Sequence, residues 1–289
     1  MKSTRELRRR IRSVGNTAQI TRAMQMVASS KMRKAQQAAI AGRPFVRLLY
    51  RIQRAVATHL GEISHPLLEV REVRKRAIIL VAADKGLCGA LNSNLFRLAA
   101  QYDPQSTIFI AAGRKAAQFV ARSQRQMVAE FPYGDSPRFP EARAIAACAI
   151  DLFRKGEVDQ VLVITTAFIN TLTQRAVCLE YLPIGEIQAM QVPGMKPVKE
   201  ERHTLATEFL FEPSPQHILD YLFSGYLNIF IYQVLLTAKA SEQSARMVSM
   251  KNATESAEDL IKQLTLELNR LRQGNITQEL LEIAGGQAG

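Results

Sequence analysis

Apolar positions spaced alternately four and three residues apart recur near both ends of the chain. Such spacing places the apolar side chains along one seam of a helix and is typical of a coiled coil. The N-terminal seam comprises Leu7, Ile11, Val14, Ala18, Thr21, Gln25, Ala28, Met32, Ala35, Ala39, Gly42, Val46, Leu49, Gln53, Val56 and Leu60. Gly42 and Pro44 mark its weak point, because proline removes a helical hydrogen bond.

A second seam near the C-terminus comprises Leu219, Leu222, Tyr226, Ile229, Gln233, Leu236, Ala240, Gln243, Met247, Met250, Thr254, Ala257, Ile261, Leu264, Leu268 and Leu271. Pro213 and Pro215 mark the entry to the helix that this seam predicts. Two matching seams at opposite ends of one chain favour an antiparallel pair. We therefore predict a long antiparallel two-helix coiled coil built from residues 1–60 and 213–285.

Between the two seams, at residues 75–211, short apolar runs alternate with helical patterns. Apolar runs without polar alternation are typical of strands buried on both faces. The predicted strands are 77–83, 107–112, 161–166 and 172–182, and the predicted helices are 90–100, 114–122 and 141–155. Alternating strands and helices predict a central Rossmann-like α/β domain with a mostly parallel sheet. The expected fold class is thus α+α/β, a coiled coil joined to this domain.

Basic side chains are concentrated at the start of the chain. The formal net charge is +12, and residues 1–60 alone contain 14 basic side chains and one acidic side chain, Glu6. Such a segment must face water, phosphate, lipid head groups or an acidic partner. A purely solvated helix face normally mixes both signs of charge to limit repulsion. An acidic protein or a nucleic acid is therefore favoured over water alone.

One turn has features of a phosphate-binding loop. Residues 84–92, Asp-Lys-Gly-Leu-Cys-Gly-Ala-Leu-Asn, follow the first predicted strand and open a helix, where doubly wound folds bind phosphate. The glycines fit neither the dinucleotide nor the P-loop pattern, so a structural turn is the favoured interpretation. Cys88, Cys148 and Cys178 lack metal-ligand spacing, and the four histidines form no motif. No catalytic, cofactor-binding or metal site is predicted, and nothing favours an enzyme.

Four separated stretches carry a family resemblance: the segment 11–35 with its Asn-Thr-Ala-Gln-Ile-Thr-Arg-Ala-Met core, the turn 84–92, and the closing segments 242–254 and 272–285. They resemble the γ subunit of F-type ATP synthases. The turn is close to the family's DRGLCGxLN pattern with Lys85 in place of arginine. The resemblance covers nearly the whole chain. Gly15, Gly274 and Gly286 depart from the family's usual residues, and each glycine within a helix costs about 1 kcal/mol relative to alanine.

The resemblance implies a non-catalytic central stalk. In this family the coiled coil enters a hexamer of α and β subunits, while the α/β domain lies beside the ε subunit and on the membrane c-ring. Rotation of this shaft couples ion translocation to ATP synthesis or hydrolysis. By motif match, the residues expected to contact the β subunit or control coupling are Met24, Arg246, Arg272, Gln273 and Thr277. Those expected at the foot on the c-ring are Lys31, Phe211 and Glu212.

The resemblance also implies a peripheral membrane protein on the cytoplasmic face of a bacterial plasma membrane. No direct insertion is expected, because the most apolar run, 218–236, contains Asp220, Asn228 and Gln233. The cysteine-bearing insertion of the chloroplast family members has no counterpart here, so we expect the three cysteines to form no redox switch. The coupling ion, H⁺ or Na⁺, is a property of the ring.

Two other functional classes stay open from the residues alone. A coiled-coil nucleic-acid-binding protein would account for the basic N-terminal segment and would bind DNA with steep salt dependence. A Rossmann-like nucleotide enzyme would bind nucleotide at residues 84–92. The resemblance instead implies protein partners and no nucleic acid.

Overall fold

The structure is a computed structural model and describes residues 3–42, 65–184 and 215–286. Long helices stand at both ends of the chain, α1 (Thr4–Ala41) and α5 (Pro215–Gly286). Between them lie a short 3₁₀ helix (Pro66–Leu68), five strands and three helices. In chain order these are β1 (Arg76–Val81), α2 (Leu91–Ala100), β2 (Thr107–Ala112), α3 (Arg114–Arg122), β3 (Gln126–Phe131), α4 (Phe139–Arg154), β4 (Gln160–Phe168) and β5 (Gln174–Leu182).

The five strands form one sheet in the order β3-β2-β1-β4-β5. The first four run parallel, and β5 pairs antiparallel with β4. The predicted mostly parallel sheet is therefore confirmed, and the predicted strands and helices appear with bounds shifted by a few residues. The edge strand β3 was not predicted, because its sequence Gln-Met-Val-Ala-Glu-Phe has only a short apolar centre and its side chains are mainly exposed.

Both faces of the sheet are covered, as its apolar strands require. Alternate residues of β1 point to opposite sides, so Ile79 packs in one core and Ile78 in the other. The first core also contains α4 and the part of α5 around Phe223 and Leu235. The second contains α2 and α3. An α5 segment buried on nearly all sides explains why its sequence is more apolar than a coiled-coil seam requires.

The apolar composition of α5 is also that of a membrane-spanning helix. The stretch Asp220–Gln278 of α5 is long and apolar enough to span a membrane by length and composition, with a mean hydropathy of 1.3 in its most apolar window. However, 61% of that window is buried inside the protein. Core helices of soluble proteins have the same composition, so burial in the first core accounts for this helix.

The described residues form two compact units. One contains residues 3–29 and 246–286, and is called here the coil unit. The other contains the described residues between 30 and 245, and is called the α/β unit. The α/β unit thus includes the end of α1 and the first part of α5 as well as the sheet. The predicted helix over residues 43–60 lies outside the described residues.

In the coil unit the two helices are antiparallel. The hydroxyl groups of Thr21 and Thr254 form a hydrogen bond of 2.7 Å, and Arg22 forms an ion pair with Glu258. The predicted seam positions are buried or half-buried, and the buried ones include Leu7, Ala18 and Ala28 on α1 and Met250, Ala257 and Leu264 on α5. Many are alanines, so the helices approach closely while burying little apolar area per layer. The predicted antiparallel pairing is confirmed.

Asp159 fixes the start of β1 beside β4, and replacing it with asparagine should remove a pH-dependent contribution to stability. Its carboxylate accepts hydrogen bonds from the backbone N–H groups of Arg74 and Lys75, both at 2.9 Å. These backbone hydrogen bonds lower the pKa of Asp159. We expect Asp159→Asn to lower the free energy of unfolding by about 1 kcal/mol at pH 7.

The sign of the pH dependence follows from the lowered pKa. An aspartate whose pKa is depressed by folding stabilises the protein above its unfolded pKa of about 4, and this contribution is lost as the pH falls through the folded value. Urea unfolding of both proteins at several pH values measures the difference, which should shrink as the pH falls below about 4. A difference that is constant with pH would contradict this account.

Candidate functional site

In the turn at residues 84–92, the Asn92 side chain is hydrogen-bonded to the chain's own groups. The Asn92 side chain accepts a hydrogen bond from the Ala83 backbone N–H at 3.2 Å and donates one to the Cys88 thiol at 3.5 Å. Leu87 and Gly89 both have positive φ angles, of 62° and 59°. The glycine suits this conformation, whereas the leucine is held in it by the surrounding turn. This geometry favours the structural interpretation of the turn over phosphate binding.

The carboxyl edge of the sheet, where doubly wound folds bind ligands, is occupied by the chain's own groups. Tyr133, after β3, donates its hydroxyl hydrogen to the Ala82 carbonyl at 2.9 Å, and burial raises the pKa of Tyr133 well above its usual value. Asp84 accepts a hydrogen bond from the Arg114 backbone N–H at 3.0 Å. Ser241 of α5 contacts the Thr166 carbonyl at 3.4 Å. Helix α5 therefore occupies part of this edge.

Four charged side chains come together near this edge, within the α/β unit. Lys239 of α5 has a fully buried side chain, and its ammonium lies 2.9 Å from the Glu242 carboxylate and 4.9 Å from the centre of the Tyr133 ring. Asp135, in the loop after β3, contacts Lys31 of α1 at 2.5 Å and lies 3.9 Å from Lys239. The Lys31 hydrogen bond, helped by the charge of Lys239, lowers the pKa of Asp135.

This cluster shows where the structure places the first predicted foot residue. Lys31 lies beside Asp135, so its ammonium has an intramolecular partner. The other two predicted foot residues, Phe211 and Glu212, lie outside the described residues. Contact of these three residues with a c-ring stays a prediction.

The predicted partner-contact residues all lie in the coil unit. Met24 on α1 is half-buried, and Arg246 on α5 is only 7% exposed. Arg272, Gln273 and Thr277 are exposed near the end of α5, with the Thr277 hydroxyl donating to the Gln273 carbonyl at 2.9 Å. The last three are thus available to another protein, and Arg246 is held mainly by its own chain.

The end of α5 also exposes apolar side chains that the sequence analysis did not single out. They are Ile276, Leu280 and Leu281. Ile276 and Leu280 are four residues apart, so they share one helix face. The spacing was visible in the sequence, but the predicted seam ended at Leu271. This exposed apolar face lies beside Arg272 and Thr277 and is accessible to another protein.

No group of three or more His, Cys, Asp or Glu side chains suited to a metal ion occurs among residues 3–42, 65–184 and 215–286. The charged cluster described above contains two carboxylates and two ammonium groups, which form ion pairs with one another. Metal chemistry therefore gains no support from this part of the chain.

The cysteine thiols should react slowly in the folded protein. None of the three forms a disulfide; Cys88 is buried, and burial raises the pKa of both Cys148 and Cys178. Tyr102 lies 3.2 Å from the Cys178 sulfur, and burial together with this thiol raises the pKa of Tyr102 to about 12. Thiolate is the reactive form, so a raised pKa slows the reaction of a thiol at neutral pH.

We expect alkylation of the cysteines at pH 7, measured by mass spectrometry, to be slower in the native chain than in the urea-unfolded control. Equal rates would contradict this.

Comparison with known proteins decides the family. The family model described as ATP synthase matches residues 3–289. The ATP synthase gamma chain of Opitutus terrae is 44% identical over 99% of this chain and 98% of its own length. The chain belongs to the ATP synthase γ-chain family.

Solved structures agree with this γ-chain membership. A chain from the central stalk and c-ring of Tetrahymena thermophila mitochondrial ATP synthase matches with a TM-score of 0.57 and 26% identity, over 81% of this chain and 99% of that one. A chain from the OSCP/F1/c-ring structure of Euglena gracilis mitochondrial ATP synthase matches with a TM-score of 0.67, over 99% of this chain and 93% of that one. At 18% identity, the second likeness shows the fold alone. The predicted family and fold are confirmed.

Proposed function

We propose that this γ chain is the rotary central stalk of a bacterial ATP synthase, transmitting torque between an ion-driven c-ring and a catalytic hexamer of α and β subunits. The antiparallel helix pair of the coil unit, in a chain of this family, carries the proposal. The similar Tetrahymena chain comes from a central stalk and c-ring assembly. The chain itself catalyses no reaction and binds no cofactor; the β subunits hold the catalytic sites.

A two-helix shaft can drive such a hexamer because it lacks threefold symmetry. Each β subunit meets a different face of the shaft at any moment. A ligand or partner that interacts equally with all states shifts no populations, so a symmetric shaft would favour no one site over another. The asymmetric pair gives the three β sites different conformations, and rotation exchanges them.

The surface of the coil unit suits a partner that binds moderately and slides. The N-terminal part of α1 exposes Arg5, Arg8, Arg9 and Arg12, so acidic surfaces on the β subunit would complement it. Near the end of α5, Arg272, Gln273 and Thr277 supply polar contacts, and the exposed apolar face of Ile276 and Leu280 lies beside them. Met24 and Arg246 lie at positions that control coupling to the β subunit.

In this proposal the α/β unit contacts the ring and the ε subunit. We assign Lys31, Phe211 and Glu212 to the foot that lies on the c-ring. The chain is then a peripheral membrane protein on the cytoplasmic face of the plasma membrane, without insertion into the lipid. The ring determines whether H⁺ or Na⁺ is the coupling ion.

Co-purification with α and β subunits, followed by ATP-driven ion pumping in reconstituted vesicles, tests this function. The complex containing the chain should pump, and the complex assembled without it should hydrolyse ATP without pumping. Pumping that does not depend on the chain would overturn the proposal. Steep salt-dependent binding of the isolated chain to DNA, without α and β binding, would instead support the nucleic-acid alternative.

A further inference from the structure

One carboxylate in the α/β unit contacts both long helices. Asp135 follows β3, and its oxygens lie 2.5 Å from the Lys31 ammonium of α1 and 3.9 Å from the Lys239 ammonium of α5. Asp135 is thus a point at which the body of the unit meets α1 and α5 together.

The α5 side of this contact is unusually buried. The Lys239 and Glu242 side chains are 1% and 3% exposed and pair at 2.9 Å. Replacing a buried ion pair with apolar side chains is often neutral or stabilising, so stability alone does not explain such a pair. What a buried pair adds is a defined geometry, because ionic hydrogen bonds have preferred distances and directions.

Contacts with a preferred direction matter in a shaft that transmits torque. Apolar burial is non-directional, whereas an ion pair adds a contact with a preferred distance and direction at one point of a helix. Asp135 pairs with Lys31 and lies 3.9 Å from the Lys239 ammonium, and the centre of the Tyr133 ring lies 4.9 Å from the same ammonium. Tyr133 is itself fixed by its hydrogen bond to the Ala82 carbonyl at the end of β1.

We propose that Asp135 is a positioning residue that fixes the rotational setting of α1 and α5 on the sheet, so that torque passes between the helices and the α/β unit without slip. This inference rests on the proposed rotary function. It assigns a mechanical role to the loop after β3. Neither Asp135 nor Lys239 was singled out by motif.

Asp135→Asn in the reconstituted ATP synthase tests the proposal, with ions pumped per ATP hydrolysed as the measured ratio. We expect the ratio to fall about fivefold against an imposed ion gradient, the lower end of ordinary coupling between sites. Without a gradient, ATP hydrolysis should match the wild type. Asp135→Glu, which keeps the charge, should restore most of the ratio, whereas a purely structural role would change assembly yield and leave the ratio unaltered.

The matched control is Asp151→Asn, which removes an exposed ion pair with Lys155 at 2.6 Å on α4. It should pump as the wild type does. If Asp135→Asn does not assemble, Asp135→Ser removes the same charge while leaving Lys239 and Glu242 paired, and should also lower the ratio. A wild-type ratio in an assembled Asp135→Asn or Asp135→Ser complex overturns the inference. Failure of the wild-type chain to support pumping overturns the proposed function instead.

Discussion

Replacing Gly113 with alanine is expected to prevent the α/β unit from folding stably. Gly113 links β2 to α3 with a φ angle of 93°, and a Cβ atom there would lie 2.3 Å from the Ala82 carbonyl oxygen and 3.1 Å from the Tyr133 ring. The Ala82 oxygen is backbone at the end of the central strand, so it cannot move aside cheaply. With a ψ angle of 147°, this conformation is essentially restricted to glycine, and a residue with a side chain pays about 1–3 kcal/mol to adopt it.

The overlap adds to that cost. Relieving it requires β1 and β2 to separate or Tyr133 to give up its hydrogen bond to Ala82. Overpacking of this kind typically costs a further 1–3 kcal/mol. Together these terms approach the whole stability of many domains. We expect Gly113→Ala to yield little soluble chain, with any soluble fraction unfolding at much lower urea concentration than the wild type.

Gly156→Ala is the matched control. Gly156 has a φ angle of 72°, but a Cβ atom there would meet nothing within 4 Å. It therefore carries the left-handed strain without the overlap, and should cost about 1–2 kcal/mol. Equal loss of stability in the two variants would contradict the role assigned to the Ala82 contact.

Met24→Lys should uncouple ATP hydrolysis from ion pumping. Met24 is half-buried on α1 of the coil unit and lies where the family resemblance places a coupling position. A lysine there adds positive charge to an already basic helix and, at the proposed contact with the β subunit, places an ammonium group against that subunit. Misplaced charges at interfaces cost several kcal/mol, so we expect a severalfold loss of pumping with hydrolysis retained.

Met26→Lys supplies the control, because Met26 is 64% exposed on the same helix and the substitution adds the same charge. It should reduce pumping less. ATP-driven pumping is measured in vesicles containing equal amounts of assembled complex. Unchanged pumping with Met24→Lys, at normal assembly, would contradict the assigned coupling role. An equal loss with Met26→Lys would show that charge alone is responsible.

The sequence predicted those elements whose apolar pattern is set by local burial. Strands such as β2 are apolar on both faces because helices cover both faces, and the seam residues Leu7 and Leu264 are buried as their spacing requires. Strand β3 was not predicted, because an edge strand with exposed side chains has no continuous apolar run. The α5 segment around Phe223 follows no simple seam, since both the sheet and α4 surround it.

The charged cluster could not be predicted from the sequence. Asp135 lies in a stretch that Pro132 and Pro137 mark as a loop, and it is separated from Lys31 and Lys239 by about a hundred residues in either direction. Only the packing of α1 and α5 against the sheet brings these charges together. By contrast, motif resemblance in the sequence indicated the partner-contact positions Arg272 and Thr277. The structure adds that both side chains are exposed.

Single-molecule rotation tests the central claim most directly. The catalytic hexamer is fixed to a surface, and a bead is attached to this chain through Ser93→Cys, an exposed position on α2 whose thiol should react faster than the native ones. If the chain is the rotating shaft, ATP should drive continuous rotation of the bead in one direction, and the rotation should stop when ATP is removed. A bead that only fluctuates about one position while the same complexes hydrolyse ATP would contradict the rotary account.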